Sequence, residues 1–130
     1  MRRASLLIVT ALVEAGVGLL LLIRPAGPFE WLLGVGQPSP EALVLARVTG
    51  AALLAIGVAC WLARNDERSA AQFGLLTGVL IYDGAAAAVL AWAALGPGLL
   101  GLALWPAVVL HAGLAVWSLL CLCARPAGRA

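Results

Sequence analysis

Residues 5–23 read SLLIVTALVEAGVGLLLLI, an apolar run from Ser5 to Ile23 in which the only charged side chain is Glu14. A helix rising 1.5 Å per residue crosses about 30 Å of hydrocarbon in about 20 residues, so this run has the length of one membrane span. A spanning strand needs only about ten residues of alternating polarity, whereas this run is about twice as long and apolar on every side. It reads as a transmembrane helix.

The same reading recurs at Ala42 to Ala63, Ala70 to Leu95 and Leu99 to Cys123, with only charged or Pro/Gly-rich segments between the runs. Composition agrees, since 64% of the 130 residues are hydrophobic, 11% are charged and the mean hydropathy is +1.07. A chain of that balance belongs to the integral membrane class. Four spans leave little length for a soluble domain, so the expected fold is all-α: one membrane domain over residues 1–130, a bundle of four transmembrane helices.

All eight basic residues are arginines. Arg2 and Arg3 precede the first span, Arg64 and Arg68 lie between the second and third, and Arg125 and Arg129 follow the fourth, while the other two loops hold only Arg24. The positive-inside rule then expects both termini in the cytoplasm and a multi-pass protein of the inner membrane. Trp61 falls towards the cytoplasmic ends, and Trp31, Trp92 and Trp105 towards the outer ends, as an interfacial aromatic belt requires. Arg2-Arg3 before an apolar run resembles a secretory signal, but the run is too long, contains Glu14 and lacks a small-residue cleavage site. An uncleaved first helix is expected. It stops at Arg24-Pro25-Ala26-Gly27-Pro28, and Pro28 to Gly34 reads as a short amphipathic turn on the membrane surface.

Each span carries one residue of the Glu/Arg/Asp/His group: Glu14, Arg47, Asp83 and His111. A charge near the middle of a bilayer costs about 3 kcal/mol or more, so such residues pair inward or face a water-filled cavity. Small neighbours favour the inward direction, because they let helices approach. Gly18 follows Glu14 by one turn, Gly50 and Ala51 follow Arg47, Ala86 and Ala87 follow Asp83, and Ala103, Ala107, His111 and Ala115 form a ladder at four-residue spacing. Arg47 lies about five residues from the outer end of its span, where its long side chain either snorkels outward or reaches a carboxylate. Gly74 and Gly78 form a GxxxG pair suited to packing inside the bundle or between protomers. Pro106 leaves two geometries for the fourth span: a helix from Leu99 bent at the proline, or a helix starting near Pro106 after a shallow, partly re-entrant segment.

Glu14, Asp83 and His111 are ligand types for a metal, but the paired-histidine spacing of common metal motifs is missing and no metal or other cofactor is expected. Haem with two histidine ligands is excluded, because His111 is the only histidine. Cys60, Cys121 and Cys123 sit towards the cytoplasmic ends and are expected as thiols, and the spacing of Cys121 and Cys123 differs from a CxxC redox pair. No glycine-rich loop follows a strand, and no basic surface is present for nucleic acid.

In length, in its four-helix plan and in the stretch from Leu45-Ala46-Arg47-Val48-Thr49-Gly50 to Gly57, the chain resembles the DoxX-like small bacterial inner-membrane proteins. That resemblance implies a membrane component, in some cases an accessory subunit in redox or envelope functions, and supplies no catalytic residue. The chain is also similar to the small multidrug resistance transporters, which carry a membrane glutamate in the first of four short helices. Glu14 matches that glutamate, while Arg47, Asp83, His111 and the long first outer loop depart from the pattern.

The residues together predict a polar core of Glu14, Arg47, Asp83 and His111 that binds or moves a small apolar or anionic ligand or protons, with Glu14 and Asp83 exchanging protons, Arg47 as counter-charge and His111 tuning the site. An intramembrane isomerase or cyclase using Glu14, Asp83 and His111 for acid–base work on a lipid or isoprenoid, and an accessory subunit of a larger complex, are the alternatives. A homodimer or larger membrane complex is expected as the working form.

Overall fold

A computed structural model describes residues 3–67 and 69–124. Arg2, Arg68, Arg125 and Arg129, on which the expected orientation leans, lie outside the described residues. The described chain is helical, with α1 at Arg3–Ile23, α2 at Ala26–Pro28 running into a π-helical turn at Phe29–Leu33, α3 at Pro40–Ala63, α4 at Ala70–Leu95 and α5 at Leu104–Cys123. Four of these helices, α1, α3, α4 and α5, are long and apolar enough to cross a membrane. By length and composition these four suit a membrane protein, in agreement with the hydropathy of the chain.

Local sequence explains the helix starts. Ser39 caps α3, its hydroxyl accepting from the Ala42 amide at 3.3 Å, and Pro40 occupies the first helical position, where a missing N–H costs nothing. Ser69 caps α4 in the same way through the Gln72 amide at 3.1 Å. α5 begins at Leu104 rather than Leu99, which places Pro106 in its first turn and removes any need for a kink. The five residues from Leu99 to Ala103, expected within the fourth span, instead fold over the short helical segment. The Ala103 amide donates to the Trp31 carbonyl at 2.8 Å. Gly101 is required there, because a Cβ at that position would lie 2.2 Å from the Leu32 carbonyl carbon.

The long helices associate as two pairs, α1 with α3 and α4 with α5, and contacts between the pairs are sparser. α1 and α3 touch backbone to backbone. A Cβ on Gly18 would stand 2.6 Å from the Leu54 nitrogen, and one on Gly50 would stand 2.7 Å from the Gly18 carbonyl oxygen. Small residues at crossing points permit this approach where no water-driven force holds helices together. Between the pairs, Leu6, Leu7 and Ala11 of α1 meet Leu76 and Val79 of α4 and Leu114 of α5 in the main apolar cluster, with Cys60 and Cys121. Gly74 and Gly78 take no part: both are exposed, with open space where a Cβ would be.

A candidate polar site at the junction of the two helix pairs

Three of the four residues singled out by sequence converge. Glu14 lies near the middle of α1, Asp83 near the middle of α4 and His111 in the third turn of α5, and one ligand atom from each lies within 4.8 Å of the others. Glu14 and Asp83 are 1% and 0% exposed, and His111 is the partly accessible member. The stripe of buried residues on α1 that includes Leu7, Thr10, Ala11, Glu14, Gly18 and Leu21 carries Glu14 to the junction, because residues three and four apart share a helix face. His111 is carried by its alanine ladder, of which Ala103, Ala107 and Ala115 are all partly buried.

His111 Nδ1 and Asp83 Oδ1 are 2.8 Å apart, the distance of a short charge-assisted hydrogen bond. That pairing leaves Nε2 as the free nitrogen of the ring. The second oxygen of Asp83, Oδ2, and one oxygen of Glu14, Oε1, are buried with no hydrogen-bond partner among the described residues. An unpartnered polar atom away from water costs about 1–3 kcal/mol, so both oxygens mark a place where something further is wanted.

Arg47 stands apart. It is exposed, and among the described residues it makes no ion pair with Glu14 or Asp83. The reason is rotational: α3 packs through Ala46, Gly50, Leu53, Gly57 and Cys60, and one residue of helix turns Arg47 about a quarter-turn off that stripe. The exposed Val44, Leu45 and Val48 beside it share the outward side of the helix.

Tyr82 belongs to the site, although it was not singled out from sequence. Its ring meets the His111 ring edge to face, with centroids 5.7 Å apart and planes at 85°, and its hydroxyl stands beside the Glu14 carboxyl group. The signal was present: the only tyrosine in the chain sits in mid-span, next to Asp83, and a phenol in an apolar interior must find a polar neighbour.

A second polar connection closes one end of the bundle. Arg3 donates through Nη1 to Gln72 Oε1 and through Nη2 to the Cys121 carbonyl, each at 3.0 Å, and Gln72 Nε2 donates to the Asp66 carbonyl at 3.0 Å. One arginine thus ties the start of α1 to α4 and α5. Between this end and the central cluster, the hydroxyls of Thr10 and Ser118 are buried and have no partner among the described residues.

Towards the short helical segment the grooves between helices are lined by apolar side chains. An open groove of about 290 Å³ lies between α1 and α5 beside the short helical segment, lined by Val17, Leu20, Pro28, Trp31, Leu32, Ala103, Pro106, Ala107 and Leu110. Val17 follows Glu14 by three residues and Ala107 precedes His111 by four, so this groove stops within about one turn of the polar cluster. On the other side of the short segment a second apolar groove of about 370 Å³ is lined by Phe29, Leu33, Leu45, Ala46, Thr49 and Leu90, among others.

Comparison with protein-family models, with curated proteins and with solved structures gives no match.

Proposed function

We propose that this protein binds a small, largely apolar molecule drawn from the bilayer, holding its apolar body in the groove between α1 and α5 and its polar group at Glu14, Asp83 and His111. The observation that carries this reading is that an open apolar groove and the buried polar cluster share α1 and α5, with Val17 three residues from Glu14 and Ala107 four from His111. Ligand sites in general combine an apolar lining with a few convergent polar groups, and this pair of features meets that description. Ionisable groups inside a membrane segment mark a functional site by default.

In this reading the protein is a multi-pass component of the inner membrane with both termini in the cytoplasm, and the short segment over residues 26–33 lies beside the groove at the outer side. The likeness to DoxX-like proteins is compatible with it and names no ligand. Acid–base chemistry on the bound molecule is a second reading, favoured by the 2.8 Å Asp83–His111 pairing, which fixes the ring and leaves Nε2 free to take or give a proton.

The test is recovery of the ligand. Protein purified in mild detergent is extracted with organic solvent, and the extract is compared by mass spectrometry with that of Ala107→Trp, whose indole fills the groove. A species enriched with the wild type and lost from the folded Ala107→Trp protein supports the reading. Identical extracts from both, matching bulk membrane lipid, refute it.

A further inference from the structure

We infer that Glu14, Asp83 and His111 form a binding site for a divalent first-row transition metal, of the manganese, iron or zinc type. One ligand atom from each residue lies within 4.8 Å of the other two. Metal–ligand bonds of about 2.0–2.2 Å place neighbouring ligand atoms about 3–3.5 Å apart, so Glu14 needs to approach by only about an ångström, while the 2.8 Å Asp83–His111 hydrogen bond opens slightly and is exchanged for bonds to the ion. Rotation about side-chain bonds supplies that much.

Two further observations point to a ligand. Glu14 and Asp83 are 1% and 0% exposed, yet Glu14 Oε1 and Asp83 Oδ2 have no hydrogen-bond partner among the described residues. Two carboxylates this close, buried and with no arginine paired to them among the described residues, carry more negative charge than one imidazole can balance. A divalent cation brings two carboxylates and a neutral histidine to net zero and uses the lone pairs that hydrogen bonding leaves vacant. Protons are the competing solution, and the experiment distinguishes the two.

The ligand set selects the ion class. Two oxygens and one imidazole nitrogen suit borderline divalent metals; calcium needs six to eight oxygens, and copper(I) prefers sulfur. Three protein ligands leave at least one position open. The inference rests on the cluster and not on the groove's occupant, so either can fail while the other stands.

The full-length protein in detergent is stripped with chelator, reloaded separately with Zn(II), Mn(II) and Co(II), and assayed for bound metal by mass spectrometry and, for cobalt, by its visible absorption. One ion per folded chain is expected. Asp83→Asn and His111→Ala should each weaken binding by more than about 100-fold, since loss of an outer-shell partner alone costs about 10- to 100-fold. A protein in which Cys60, Cys121 and Cys123 are all serine should bind as the wild type does. Asp83→Glu, which keeps a carboxylate, should retain the ion with a shifted cobalt spectrum, and this decides the matter if the deletions do not fold. Metal content that stays near zero after reloading, survives both deletions or vanishes with the cysteines overturns the proposal.

Discussion

The two helix pairs are held by different means. α1 and α3 meet through glycine, backbone against backbone, at Gly18, Gly50 and Gly57, where no side chain fits. α4 and α5 have glycines too, at Gly74, Gly78, Gly84 and Gly113, but each of these faces open space. Their association instead includes a directional polar bond, Asp83 to His111. A glycine contact is permissive of one close geometry and carries no chemistry, whereas a polar bond in an apolar medium both orients its partners and keeps reactive groups at hand. The lesson is a division of labour: one pair supplies a rigid frame with Glu14 on its inner face, and the other supplies the remaining polar groups.

The largest expected effect comes from breaking the frame. Gly50→Ala forces a Cβ to 2.7 Å from the Gly18 carbonyl oxygen, and Gly18→Ala meets the Leu54 backbone at 2.6 Å. Each should destabilise the fold by about 1–3 kcal/mol, the usual cost of overpacking, in a denaturant titration of the detergent-solubilised protein. Equal stability would refute the backbone contact between α1 and α3. Gly101→Ala is next, because its Cβ meets the Leu32 carbonyl at 2.2 Å. The short helical segment should detach, raising hydrogen exchange over residues 26–35 while exchange in α4 stays unchanged.

Breaking the other pair should cost less overall and act more specifically. Asp83→Asn removes a charge-assisted bond of a kind that contributes about 1.5–3 kcal/mol, offset by the easier burial of a neutral amide. A net loss of about 1 kcal/mol is expected, together with a changed nitrogen-15 shift of the His111 ring, because an amide replaces the carboxylate beside Nδ1. An unchanged imidazole signal would show that the ring is not bonded to Asp83. Gly78→Ala sharpens the contrast, since its Cβ enters open space and alanine favours helix by about 1 kcal/mol over glycine. That variant should be neutral or slightly stabilised, and a substantial loss would reveal a partner on the exposed face of α4.

Arg47→Leu should have the smallest effect, within about 0.5 kcal/mol, as an exposed residue with no ion pair to the cluster. A loss comparable to that of Asp83→Asn would return Arg47 to the site.

Much of this organisation was legible in the chain. The four long helices follow from apolar length, and α4 spans Ala70–Leu95 as the hydropathy pattern predicts. Pro106 marked the uncertain start of α5, and its structure resolves the choice in favour of a start at Leu104. The inward direction of Glu14, Asp83 and His111 was readable from their small neighbours. That reasoning did not extend to Arg47: Gly50 and Ala51 follow it by one turn, but Gly50 serves the contact with Gly18, and Arg47 itself points away. Nor did the GxxxG motif identify a contact within the chain, because Gly74 and Gly78 form a smooth stripe on the outward side of α4.

Sequence by itself determined the class and the inventory: four apolar helices, one Glu, one Asp and one His each near the middle of its own helix, and glycines where helices can close. Those properties are local, set by hydrophobicity along the chain and by backbone chemistry. Only the tertiary structure decided which polar groups meet, because that depends on the rotation of each helix about its axis and on which helices become neighbours. A quarter-turn places Arg47 outside and Tyr82 inside, and the crossing of two helix pairs brings Glu14 to a bonded Asp83 and His111 across 69 and 97 residues of chain.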